Sequence, residues 1–198
     1  MNKKAIVTYI IIGINIIMFL LCVISSKSLI DIDVYTLANF GGQARILIDY
    51  NNEYWRLFTC MFLHGGLMHL FFNMYGLYYL GTQCEMIFGK IKYLIIYFSS
   101  GLIGAFLSYK LGDPRTVSVG ASGAVFGLVA ALLVFCAMNK DIINKKFMSN
   151  LILIIGLNLF IGFTQSGIDN FAHLGGIIGG AIFGFIFTST LKSKHNNY

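Results

Sequence analysis

The sequence predicts an all-α membrane protein, a bundle of six transmembrane helices whose first outer loop is embedded in the membrane surface. Two observations carry that expectation. A soluble domain carries roughly 25% charged residues, whereas this chain of 198 residues carries 11%, with 57% hydrophobic residues and one proline. Its apolar residues also fall into six windows long enough to cross a hydrocarbon core. The net charge of +6 raises the question of nucleic acid, but such a site needs a basic face or stripe. The lysines instead sit between the apolar windows, as membrane-flanking residues do. The expected partner is therefore the lipid bilayer, with no nucleic acid.

The first window, Ala5–Ile24, follows Lys3 and Lys4 and resembles a signal peptide in its opening. It is longer than a signal core, which is typically about 7–15 residues, and no small-x-small cleavage site follows. It reads as a retained membrane helix. Residues 25–67 are too amphipathic to span and too apolar for a solvated loop, so short helices on the membrane surface are expected there. The remaining windows are Met68–Glu85, Ile91–Leu111, Ser122–Met138, Phe147–Phe163 and Phe171–Leu191, with short connections and a solvated tail from Lys192. This predicts a single domain over residues 1–198. Cys22, Cys60, Cys84 and Cys136 show no paired spacing and no CxxC, so they read as small apolar residues rather than a zinc or redox site. Neither a cofactor nor a metal is expected.

Basic residues set the orientation. With the N-terminus inside, the inner segments hold Lys3, Lys4, Lys90, Lys92, Lys140, Lys145, Lys146, Lys192 and Lys194 against Glu85 and Asp141. The outer segments hold Lys27, Arg45, Arg56, Lys110 and Arg115 against Asp31, Asp33, Asp49, Glu53, Asp113 and Asp169. The balance is then +7 inside and −1 outside, which places both termini in the cytoplasm. The Ile-, Asn- and Lys-rich composition suggests a bacterium with an AT-rich genome, so a bacterial plasma membrane is the expected location.

Polar residues inside spans are costly and mark functional sites by default. His69 and Asn73 on the second window, Ser122 on the fourth and His173 on the sixth stand out. Counted to the inner charge that ends each window, Ser122 lies 18 residues before Lys140 and His173 19 before Lys192, while His69 and Asn73 bracket the same level. At 1.5 Å per residue this is about 27 Å above the inner marker, just below the outer surface of a core about 30 Å thick. Taken singly, each residue has a plainer reading: a histidine or asparagine bridging two helices, a serine bonded back to its own helix. Their common depth favours a shared site.

Ser122 lies in Gly120-Ala121-Ser122-Gly123, where an irregular stretch turns into a helix. A hydroxyl needs a base to become a nucleophile, and a neutral imidazole is the usual one. Free backbone N–H groups at a helix N-terminus favour a developing oxyanion. His173 lies in Ala172-His173-Leu174-Gly175-Gly176, and Gly176, Gly180 and Gly184 continue its face as a small-residue stripe. Gly123, Gly127 and Ala131 form a matching stripe, so the two backbones can approach closely, as a Ser–His hydrogen bond requires. His69 and Asn73 add donors from a third helix. No acid shares this depth. Asp169 reads as a helix cap, so a dyad is implied rather than a triad.

Over essentially its whole length the chain resembles the rhomboid intramembrane serine proteases. The resemblance rests on Trp55-Arg56, on His64, His69 and Asn73 in HGGLMHLFFNM, on GASG at 120–123 and on AHLGG at 172–176, in the family's order. It implies a rhomboid-like bundle in the minimal six-span form. It also implies a serine endopeptidase with a Ser122–His173 dyad forming an acyl-enzyme, and an oxyanion hole of His69, Asn73 and the Ser122 backbone N–H. Gly120, Gly123, Phe126, Trp55, Arg56 and Gly176 would support that site. Trp55 and Arg56 would belong to the embedded loop, while the fifth span and the loop Thr164–Asn170 would gate the site. The substrates would be single-pass membrane proteins cut near the outer membrane face. Some family members carry a tyrosine where this chain has Phe126, so any role for its hydroxyl is absent here. No oligomeric state and no role for His64 are assigned.

Three other readings compete. An inactive relative that binds membrane helices would be free to lose the Ser122, His173 and donor set, which is intact. A transporter would show inverted repeats and a midplane site, neither of which the sequence displays. A metal site on His64, His69 and His173 lacks a carboxylate and a common depth.

Overall fold

The computed structural model describes residues 5–139, 145–164 and 167–195, and the side chains within these except 158–164 and 192–195. Lys3, Lys4, Lys140 and Asp141 of the charge argument, and Gln165 and Ser166 of the expected gate loop, lie outside the described residues.

The chain is helical almost throughout. α1 spans Ile6–Ser26, and the loop region beyond it holds α2 (Val34–Asn39), β1 (Gln43–Ala44), α3 (Arg45–Asn51) and α4 (Arg56–Thr59). α5 (Leu67–Gly76) passes through a wider π turn at Leu77–Gly81 into α6 (Thr82–Phe88). Then follow α7 (Lys90–Leu111), β2 (Val117–Ser118), α8 (Ser122–Met138), α9 (Lys145–Thr164) and α10 (Asn170–His195). Among the described residues α1, α7 and α10 are each long and apolar enough to cross a membrane; the pair Arg56–Phe62 and Leu67–Phe88, bent by 91°, makes a fourth if taken as one span. α8 is apolar but shorter.

Several helices overrun their apolar windows. α5–α6 continues past Glu85 to Phe88. Glu85, the last residue of its window, is 4% exposed. It accepts hydrogen bonds from Val7 N–H (3.1 Å), Thr8 N–H (2.8 Å) and the Thr8 hydroxyl (2.9 Å). The first N–H groups of any helix lack partners within it, and Ala5, at the start of α1, offers no side-chain cap. A carboxylate from a neighbouring helix supplies what the local sequence lacks.

The core sits between α7, α8 and α10, with α1 and α5–α6 against it; Tyr93, Tyr97, Leu128 and Leu132 are fully buried there. α8 and α10 meet along the two small-residue stripes. A β-carbon at Gly176 would collide with the Gly123 carbonyl, one at Gly180 with the Gly127 carbonyl, and one at Gly184 would lie 2.7 Å from Ala131 Cα. α7 joins on the adjacent side, where a β-carbon at Gly175 would lie 2.8 Å from Gly104 Cα. Three backbones are thus packed at a closeness that side chains forbid.

The loop after α1 is ordered from within. Asp33 caps α2 by accepting from Thr36 N–H at 2.9 Å. β1 pairs antiparallel with β2, Gln43 opposite Ser118 and Ala44 opposite Val117. Arg56 is buried, donates to the carbonyls of Ala38 and Gly42, pairs with Glu53 and lies over the Trp55 ring at 4.6 Å. A guanidinium has the donors to hold several strands of chain at once. The four cysteines are free and buried.

Candidate active site

Ser122 is the first residue of α8 and His173 lies in the first turn of α10. The contact of the two glycine stripes brings them together: His173 Nε2 stands 3.0 Å from Ser122 Oγ, a hydrogen bond. His173 is buried and Ser122 half-buried. Phe126, one turn along α8 from Ser122, stacks on the imidazole with ring centroids 4.2 Å apart and planes 23° apart. His173 Nδ1 is buried and meets no hydrogen-bond partner among the described residues. Among the described residues, the Ser122 hydroxyl on Nε2 and the Phe126 ring on its face are thus what orient the imidazole.

The path into α8 is fixed by backbone. Gly120 takes φ +132°, a left-handed value that side chains rarely adopt, and its N–H donates to the Cys60 carbonyl at 2.9 Å. A β-carbon there would lie 2.8 Å from His69 Nε2 and 3.6 Å from Ser122 Oγ. The absent side chain therefore leaves open a point that both groups face. His69 Nδ1 accepts from the Gly65 N–H at 3.4 Å, which leaves Nε2 as the protonated, donating nitrogen of a neutral ring. Asn73 is buried, and its amide donates back to the His69 carbonyl at 2.9 Å. An Asn NH₂ has two hydrogens, so one remains for another acceptor. An alkoxide formed at Ser122 would sit beside the first N–H groups of α8 and the positive end of its dipole.

His64 is fully buried, its ring edge-on to His69 with centroids 5.1 Å apart. Trp55 and Arg56 stand in the loop after α1 and organise it. Asp169 precedes α10 and accepts from Ala172 N–H at 2.9 Å, as a cap does. Its second oxygen accepts from the Ser108 and Ser118 hydroxyls. Sequence reasoning found the cap but not these serines, nor the Cys60 carbonyl. A lone serine or a backbone carbonyl leaves no pattern in a single sequence, and partners 51 and 61 residues away are joined only by the fold.

Comparison with known proteins follows the same lines. The family model described as Rhomboid domain matches residues 51–190. The chain is 39% identical over 179 residues to "Rhomboid protease GluP" of Bacillus subtilis (strain 168), covering 90% of this chain and 34% of that protein. It is 41% identical over 154 residues to "RHOMBOID-like protein 1" of Arabidopsis thaliana, 77% of this chain and 39% of the relative. It is 41% identical over 167 residues to "RHOMBOID-like protein 5" of the same plant, 82% of this chain and 53% of the relative. The chain thus spans about a third to a half of the length of these relatives.

Proposed function

The chain belongs to the rhomboid family, and from that premise we propose that it is an intramembrane serine endopeptidase with Ser122 as nucleophile and His173 as general base. The observation that carries this reading is the 3.0 Å contact between His173 Nε2 and Ser122 Oγ. As Oγ attacks a substrate carbonyl, its proton passes to Nε2 and the carbonyl oxygen becomes an oxyanion. The Ser122 backbone N–H, His69 Nε2–H and the free Asn73 amide hydrogen receive that charge. Such donors act most strongly where water is excluded. The intermediate collapses, the peptide C–N bond breaks, and the amine leaves with the proton from His173. Water then attacks the acyl-enzyme with His173 again as base, and Ser122 is regenerated.

The substrates are single-pass membrane proteins, cut near the outer face of a plasma membrane, with both termini of this chain in the cytoplasm. A substrate helix must unwind before its carbonyls are open to attack, so Gly or Pro near the scissile bond favours cleavage. The test is reconstitution in proteoliposomes with a quenched-fluorescent membrane-helix substrate. Ser122→Ala and His173→Ala, each folded as the wild type, are expected to lose at least about 10³-fold in kcat. Each is expected to lose fluorophosphonate labelling of Ser122 as well. Unchanged turnover in either variant refutes the dyad, and no turnover by the wild type on any helix substrate refutes the enzyme.

A further inference from the structure

We propose that Asp169 is a positioning residue that sets Ser122 and His173 against each other, an inference that rests on the dyad reading above. One carboxylate grips the approach to both residues. On the α10 side, Oδ1 accepts from Ala172 N–H at 2.9 Å, and the Asp169 carbonyl accepts from His173 N–H at 3.2 Å. On the α8 side, Oδ2 accepts from the hydroxyl of Ser118, four residues before Ser122. The same Oδ2 takes the Ser108 hydroxyl near the end of α7, and the Gln43 amide lies 3.1 Å from that hydroxyl. Ser118 is itself fixed, paired through β2 with Gln43, and two residues later Gly120 is held to the Cys60 carbonyl. The glycine stripes fix how closely α8 and α10 approach. They leave the first turn of each helix, where Ser122 and His173 stand, dependent on what precedes it. Among the described residues, the Asp169 side chain joins those two lead-ins.

A plain helix cap and a positioning tie differ in what they require. A cap needs one acceptor for an N–H near the start of α10, which Ser also provides. The tie needs a second polar atom that reaches Ser118 at the same time. Asp169→Asn keeps both, whereas Asp169→Ser keeps only the cap. Ser118→Ala cuts the tie from the other end and leaves the cap untouched. A misplacement of about 1 Å costs a reaction on the order of 10²-fold.

In proteoliposomes with the same helix substrate, Asp169→Ser and Ser118→Ala are each expected to lower kcat about tenfold with KM within twofold, and Asp169→Asn to stay within threefold of wild type. The thermal midpoints should show Ser118→Ala folded as the wild type, so that variant decides the matter should Asp169→Ser fail to fold. Wild-type kcat in Ser118→Ala, a loss confined to KM, or an equal loss in Asp169→Asn overturns the positioning role. If the wild type turns over and labels at Ser122 while these variants match it, only this inference falls. A wild type without turnover or labelling takes the dyad reading down with it.

Discussion

Phe126 and His173 stack face to face, their ring centroids 4.2 Å apart, on helices whose backbones touch through glycine. The contact orients an imidazole whose Nδ1 has no hydrogen-bond partner among the described residues. An aromatic pair is worth about 0.5–1.5 kcal/mol beyond its buried area. Phe126→Leu, which keeps the site apolar but removes the π face, is expected to lower kcat about 2- to 10-fold with KM little changed. Phe126→Tyr should stay near the wild type. Steady-state cleavage kinetics read both, and a Leu variant as fast as the parent shows that stacking is not what steers the base.

The glycine seam gives a second expectation. A β-carbon at Gly180 collides with the Gly127 carbonyl, whereas one at Gly13 on α1 meets nothing within 4 Å. Forcing extra volume into close packing costs about 1–3 kcal/mol or more. Gly180→Ala should therefore lower the thermal midpoint in detergent by several degrees or prevent folding, while Gly13→Ala leaves it unchanged or raised. Equal midpoints for the two variants would mean that the helices do not pack this closely.

Glu85 ties α6 to the start of α1 through three hydrogen bonds. Hydrogen bonds to a charged group contribute about 1.5–3 kcal/mol each in favourable cases. Glu85→Ala is expected to destabilise the protein measurably in thermal unfolding, with kcat on the surviving fold within twofold of wild type because Glu85 lies at the far end of the α5–α6 path from His69 and Asn73. A midpoint that does not move counts against the tie.

Trp55 is the chain's one tryptophan, and Arg56 lies over its ring while pairing with Glu53. Emission excited selectively at tryptophan, apart from the chain's 11 tyrosines, therefore reports this loop. The Arg56 guanidinium, through its hydrogen bond, holds the Glu53 carboxyl below the usual carboxylate range. A depressed carboxyl stabilises the folded loop fully above its unfolded value of about 4.3. That contribution is lost as pH falls through the lower folded value. Trp emission should change on acidification below about pH 4, and Glu53→Gln should remove that step. The same step in both proteins would assign it to another group.

How much of this was legible in the sequence depends on range. The Gly123 and Gly176 stripes carry their own spacing, and because helical geometry is regular, residues at i, i+4 and i+8 must share a face. That is why the approach of Ser122 and His173 could be anticipated. The region between α1 and α5 was legible only in kind, as short helices. Its two-residue strand Gln43–Ala44 and the partner strand Val117–Ser118, between α7 and α8, have no local pattern of their own; each exists because the other is present. Glu85 entered the sequence reading only as the end of the second window and an inner-side acid, because a hydropathy window carries no sign of a partner. In the structure its partners are 77 and 78 residues away. Asp169 was half legible: capping is local, but its bonds to Ser108 and Ser118 are not.

Where Gly176 and Gly180 rest on the carbonyls of Gly123 and Gly127, there is no layer of side chains to shear. α8 and α10 cannot slide or rock against each other without atoms meeting head-on, so they move as a single rigid piece. Whatever loosening admits a substrate must come from the surrounding helices and loops rather than from this seam.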